Sequence, residues 1–579
     1  MTHTSARTIE TDVLVIGTGG AGLRAAIELH DMGRHVLVLG KRPRADAHTV
    51  LAAGGINAAL ATMDYEDTWA IHAADTLVEG RFLGDPAAVE ILCREAARAI
   101  EELTAWGVPF HREADGRISQ RYFGAHRYRR TAFVGDYTGQ EIIAALVREV
   151  DRRGIEIIER VYVADLLSRD GQVNGAFGFE LATGREVIVQ AGAVVLAAGG
   201  HIHIYHRSSS RRRENTGDGM ALAFAAGASL ADMELVQFHP SGMVSPVELE
   251  GTLVTEAVRG EGGRLLNSNG ERFMARYDAE RMELSTRDRV ALANYTEIVE
   301  GRGTPNGGVW LDVSHLPAAV IHERLPRMYA QFAAVGVDIT REPMEVAPTA
   351  HYSMGGVRVE PHSHSTGVPG LYAAGEVAAG VHGANRLGGN SLAEILIFGR
   401  IAGRSAGEYA AANKAPALDE AQIVHVRQQL ARLSQRDGVT QRELIAALQD
   451  AVWRGAGVVR SAEGLGQALE SLENIRNQAE NSPAGTPDLA AALDLQSMLL
   501  TAEATVHGAL ARQESRGAHQ RSDFPELDRA WQRTIVIEPV AHHSRPGMRL
   551  STADLNAPSP EVQDAVDESE LELAGRLVE

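Results

Sequence analysis

Cysteine is almost missing: Cys93 stands alone among 579 residues. One thiol excludes a disulfide framework, a thiolate zinc site and a self-contained iron–sulfur cluster, each of which needs several. No metal-ligating residues are singled out. Aromatic residues make up only 5%, too few for extended base-stacking platforms. Basic residues are outnumbered, 56 against 76 acidic ones, for a net charge of −20. That balance argues against nucleic acid and anionic membrane surfaces as partners, and an anionic substrate would need local positive charge. Long apolar runs are also lacking. The opening MTHTSARTIETD has no apolar core of a signal peptide, and the longest candidate, Ala191 to Ala198, is far too short to span a bilayer. The expectation is a cytoplasmic protein, or a peripheral subunit on the cytoplasmic face of the inner membrane if something else anchors it.

What is abundant is glycine, 59 residues in all, in a chain that is 44% hydrophobic. Residues 12–39 read as an apolar strand, a glycine turn, a helix carrying Leu23, Ala26 and Ile27 on one face, and a second strand. The turn Gly17-Thr18-Gly19-Gly20-Ala21-Gly22 matches G-x-G-x-x-G. Alone the match is weak. In its strand–turn–helix context it predicts dinucleotide binding, with helix N-terminal amides facing a pyrophosphate. The acid that usually closes the second strand is replaced by Gly40-Lys41. Asp170-Gly171 and Thr183-Gly184 predict hairpins between β-branched segments. After about residue 418 helical stripes take over, Leu444, Leu448 and Val452, then Leu465, Leu469, Leu472 and Ile475, with a predicted capping box at Thr440-x-x-Glu443. Residues 551–579, with eight acids, one arginine and two prolines, read as a solvated tail.

Residues 46–60, DAHTVLAAGGINAAL, resemble the succinate dehydrogenase and fumarate reductase flavoproteins, as do NTGDGM from Asn215, QFHPSG from Gln237, TEAVRGEGG from Thr255, STRDRV from Ser285, HYSMGG from His351, HGANRLGGNSL from His382 and ESRGAHQRSDFPE from Glu514. The blocks keep the family's order to about residue 535. The resemblance implies an α/β fold: a Rossmann-like FAD-binding domain split in sequence (1–236 and 343–417), an α+β capping domain (237–342), a helical domain (418–540) and a partly disordered tail (541–579).

It also implies FAD bonded covalently to His48 through the 8α carbon, a link that raises the flavin potential for oxidising an unactivated CH–CH bond. Cofactor contacts carried over are Gly17, Gly19, Gly20, Gly22, Lys41, His48, Thr49, Gly54, Gly55, Asp218, Glu376, Asn390, Ser391 and Leu392. For a dicarboxylate the resemblance places His239 and Thr255 at one carboxylate and His351 and Arg386 at the other. Arg287 matches the proton-shuttling arginine, with Glu256 and Arg259 as its relay. Electrons would leave through a separate iron–sulfur subunit, with membrane attachment indirect, through an anchor.

Three departures stand out. Phe123-Gly124-Ala125-His126 replaces Phe-Gly-Gly-Gln, the loop from Glu376 to His382 is one residue short, and Val258 replaces a reactive cysteine. Three rivals remain. L-aspartate oxidase shares the HGANR block but holds FAD non-covalently and lacks a histidine matching His48. A soluble fumarate reductase would use another donor. A non-catalytic flavin-binding partner would be expected to have lost some of Arg287, His351, Arg386 or Glu256.

Overall fold

The computed structural model describes residues 6–433, 441–481, 488–540 and 547–576. Its central sheet grows from the first strand, Arg7–Ile16, whose buried end pairs in parallel with Val36–Gly40 on one side and Glu186–Leu196 on the other. Strands buried on both faces read as unbroken apolar runs, and VLVI and AVVL do so. Leu371–Ala373 pairs with Val194–Leu196, so a segment distant in sequence completes the dinucleotide sheet. Its following helix, Asn390–Ala412, lies against Gly20–Asp31. A Cβ on Gly399 or Gly403 would sit 2.6 or 2.7 Å from the carbonyl oxygens of Ala21 and Ala25. Only glycine permits that approach.

The predicted hairpins form. Asp170 and Gly171 both have positive φ, 53° and 78°, between strands in register at Arg169 and Gln172. The cap is a four-stranded antiparallel sheet ordered Val236–Met243, Met344–Ser353, Val309–Asp312, Arg264–Leu266. Its first two strands lead back to the domain of the central sheet and carry His239 and His351. Helices Gln441–Ala456, Ala462–Asn481 and Leu489–Ala511 pack the predicted stripes together, with Leu448, Val452, Leu465 and Leu472 fully buried. Thr440 of the predicted capping box lies outside the described residues.

The C-terminal reading needs correction. Gly547–Asp554 pairs antiparallel with Arg533–Val540 along its whole length, and Pro560–Arg576 is a helix packed on Trp69–Glu79. Val562, Ala565 and Val566 are buried there, at helical spacing. The tail's acidic total obscured that narrow stripe, because a charge count ignores which face each residue takes. Val562→Asp should cost about 2–4 kcal/mol through an unpaired buried charge. A thermal scan at fixed rate should show a melting temperature lowered by several degrees.

Candidate active site

A cavity of about 680 Å³ runs from the glycine turn to the cap. Gly17, at φ 123°, comes so near the next strand that a Cβ would lie 2.1 Å from the Ala197 oxygen. Gly17, Gly19 and Gly20 line the cavity, and Gly20 N–H donates to Thr49 Oγ1 at 3.3 Å. Gly22 does not line it. A Cβ there would meet Gly17 O at 2.0 Å, so its demand is packing between turn and helix. Gly54 and Gly55 form the wall next to Phe123.

At one end Lys41 Nζ donates to Asp494 Oδ1 at 2.7 Å, Asp218 Oδ2 at 3.1 Å and Thr216 Oγ1 at 3.2 Å, 4.8 Å from the Tyr162 ring centre. Burial opposes its charge, but Asp218 and Asp494 outweigh burial and raise its pKa. Thus Lys41 and Asp218 reach the cavity as an ion pair, and Asp494, from the helical region, was not anticipated. Arg211 pairs with Glu214 and Asp46, and Arg213 with Asp488, while Arg212 alone is exposed.

In the middle stand His48, Glu376, Ser391 and Leu392, all lining the cavity. His48 Nδ1 donates to Glu214 Oε2 at 3.2 Å. Burial raises the Glu376 carboxyl to about 7, against the lowering pull of His48, and Glu376 Oε1 accepts from Ser353 N–H at 3.0 Å. Asn390 is a correction. Its side chain turns away from the cavity, accepting from Asn57 at 2.7 Å and donating to Thr76 at 2.9 Å. At a helix's first residue a buried amide is held by whichever polar partners tertiary packing brings, which spacing does not disclose.

At the cap end the structure brings His239, Thr255, Glu256, Arg287, His351 and Arg386 to the same wall. Arg287 Nε and Nη2 both reach Glu256 Oε2 at 2.8 Å, and its Nη1 donates to Gln237 Oε1 at 3.2 Å. That same oxygen accepts from Arg386 Nη2 at 3.0 Å, so one neutral amide bridges two cations. Gln237 Nε2 donates to Asn385 Oδ1 and Arg386 O, at 2.8 and 2.9 Å, which settles its orientation. Glu256 is held well below the usual carboxylate range: burial opposes ionisation, but Arg287 and Arg259 prevail. Arg259 is fully buried behind it, with Nη2 3.7 Å from Glu256 Oε2 and Nη1 donating to Glu283 O at 2.5 Å. It touches Glu256 rather than the cavity. Burial keeps both site histidines neutral, with Arg287 adding to the effect at His239 and Arg386 at His351. His239 Nδ1 accepts from Ser241 N–H at 3.2 Å, leaving Nε2–H as a donor. The divergent His126 lies behind Gly388, whose carbonyl is 3.1 Å from its Nε2. Gln237, Glu214 and Phe123 were missed as site residues although each lay in or beside a matching block.

Residues 12–392 match the family model described as FAD binding domain, and residues 445–564 match that described as Fumarate reductase flavoprotein C-term. The chain belongs to the succinate dehydrogenase/fumarate reductase flavoprotein family. It is 47% identical over 535 residues to a fumarate reductase (CoM/CoB) polypeptide of Methanothermobacter marburgensis, covering 91% of this chain and 97% of that one. It is 38% identical to the succinate dehydrogenase flavoprotein subunit of Rickettsia bellii, over 90% of this chain and 91% of the relative. The Mycobacterium smegmatis structure of Sdh1 in complex with UQ1 superposes with a TM-score of 0.89 at 40% identity, covering 98% of both chains. The chain is therefore an FAD-dependent oxidoreductase. Its glycine turn and cavity fit a dinucleotide: the walls approach where side chains are absent, and polar groups converge at both ends.

In this member of the family Val258 is fully buried, and so is Cys93, whose thiol is pushed up by burial. N-ethylmaleimide should leave activity essentially unchanged. A substantial loss that succinate prevents would contradict this.

Proposed function

We propose that the chain is the catalytic flavoprotein subunit that interconverts succinate and fumarate, with FAD bonded to His48. The observation that carries this reading is the cap end of the cavity. Arg386 is buried and cationic, and among the described residues it makes no salt bridge. Its neighbours at that wall are Thr255, two neutral histidines and Arg287, whose ion pair with Glu256 leaves Arg386 as the unpaired cation there. Such an arrangement suits a small dianion: Arg386 and His351 take one carboxylate, His239 and Thr255 the other.

Gly17, Gly19, Gly20 and Thr49 would hold the pyrophosphate region, Lys41 and Asp218 the adenosine end, and Glu376, Ser391 and Leu392 the stretch towards the ring. Bound FAD supplies a two-electron acceptor for hydride. Arg287 then accepts the proton from the neighbouring carbon and relays it through Glu256 and Arg259; fumarate reduction runs the same path backwards. Arginine is a poor base alone. Here its guanidinium is held against an ionised carboxylate, so a proton can be replaced as another leaves.

With one cysteine in the chain, the electrons would pass to an iron–sulfur subunit, and attachment to a membrane would be indirect. No helix among the described residues is long and apolar enough to cross a membrane. A second reading, fumarate reduction fed by a donor other than quinol, is supported by the Methanothermobacter marburgensis relative, whose name specifies CoM/CoB.

The test is acid denaturation of purified protein, made with its assembly machinery, followed by a gel. The expected result is flavin fluorescence in the polypeptide band, with succinate-dependent dye reduction and none with L-aspartate. Flavin released entirely into the supernatant, together with aspartate oxidation, would replace this reading by L-aspartate oxidase.

A further inference from the structure

We propose that Glu214 is the positioning residue for flavin attachment: it holds the His48 ring so that Nε2 faces the flavin as the nucleophile, and it balances the charge that forms. This rests on the covalent reading above.

Glu214 is almost wholly buried, with 4% of its side chain exposed, yet it lines the same cavity as His48. Among the described residues it is the only hydrogen-bond partner of the His48 ring. Its other contacts all come from cations or amides. Arg211 Nη2 donates to Oε1 at 2.5 Å, Arg211 N–H to Oε2 at 3.0 Å, and Arg42 Nε lies 3.2 Å from Oε1. Asp46 in turn accepts from Arg42 and Arg211. The carboxylate is thus ionised and immobile, and an ionised carboxylate only accepts. The proton of neutral His48 must then sit on Nδ1, which leaves the lone pair on Nε2.

Attachment joins Nε2 to the flavin 8α carbon. That carbon gives up one hydrogen as a proton, and the electron pair released moves into the isoalloxazine. The ring nitrogen that forms the bond leaves the imidazole cationic until the Nδ1 proton departs. The flavin has then gained two electrons and two protons, one from the 8α carbon and one from the imidazole. Fumarate, the oxidant of the proposed reaction, removes both and becomes succinate. The transient cation forms 3.2 Å from Glu214, so the carboxylate favours bond formation as well as orientation.

Glu214→Gln separates these effects from the shape of the loop. The guanidiniums of Arg211 and Arg42 would claim the amide oxygen and turn its NH₂ towards Nδ1. That reverses the tautomer, puts the proton on Nε2 and removes the counter-charge. The variants Glu214→Gln and Glu214→Asp are purified beside the wild-type protein, each made with the same assembly machinery. Total flavin is read by absorbance, and the covalent fraction from band fluorescence after acid denaturation. Glu214→Gln is expected to retain FAD but lower the covalent fraction about tenfold or more, and Glu214→Asp, which keeps the charge, to restore much of it. Wild-type attachment in Glu214→Gln would overturn the role of Glu214 and leave the covalent reading standing. Loss of all flavin from that variant would assign Glu214 to loop structure and overturn it too. A wild-type protein that releases its flavin would instead remove the covalent reading itself.

Discussion

Arg287→Lys should lower succinate oxidation about a thousandfold, within the range by which a positioned acid–base group accelerates a reaction, while flavin stays bound. The expectation follows from geometry. Arg287 reaches Glu256 with two nitrogens and Gln237 with a third, at 2.8, 2.8 and 3.2 Å. Lysine keeps the charge but offers one nitrogen on a flexible stem, so it cannot hold both partners and also face the substrate. Behind Glu256 stands buried Arg259, which donates to the carbonyl oxygen of Glu283. The Glu283 carboxylate meets half-exposed Arg272 at 2.6 Å, which fixes the segment that Arg259 leans on. Dye-linked turnover against flavin absorbance measures the effect. Turnover within tenfold of wild type would mean that another group carries the proton.

Arg386→Gln should act on binding instead, raising KM for succinate roughly 30- to 1,000-fold, as expected for loss of about 2–4 kcal/mol when one member of a buried charge pair is removed. The guanidinium is held on three sides, by Gln237 at 3.0 Å, Ser391 at 3.2 Å and the Tyr352 ring 4.4 Å away, none of which neutralises it. Burial lowers its pKa to about 10, with Arg287 adding to the effect. A cation's charge is lost only above its pKa, so this contribution should persist through neutral pH and fade near pH 10. Malonate, a dicarboxylate that cannot be dehydrogenated, should lose affinity in parallel with succinate. An unchanged inhibition constant would remove Arg386 from the substrate site.

Much of this is legible in the sequence. The glycine turn, the hairpin dipeptides and the helical stripes are local signals, each arising from dihedral limits or periodicity within a few residues. His48, Arg287 and Arg386 could be singled out because they lie in blocks whose order matches a family. Their arrangement could not be read the same way. Gln237 lay in a quoted block, but that its oxygen bridges two arginines depends on Arg287 and Arg386 arriving from 50 and 149 residues away. Asp494 meets Lys41 from 453 residues away, with no local signal at all. The same limit explains Asn390, whose side chain serves a buried polar network, and the C-terminal helix, whose apolar stripe finds a partner near the other end of the chain.

The amino-acid sequence by itself determined the split dinucleotide fold and the chemical types available to it: a histidine after the second strand, arginines and histidines in a fixed order, and too few thiols for a cluster. Only the tertiary structure decided their charge states and company. Burial of those groups makes the histidines neutral, leaves Arg386 seeking an anion and sets Glu214 against His48. Desolvation and long-range pairing belong to the packed molecule, and no window along the chain contains them.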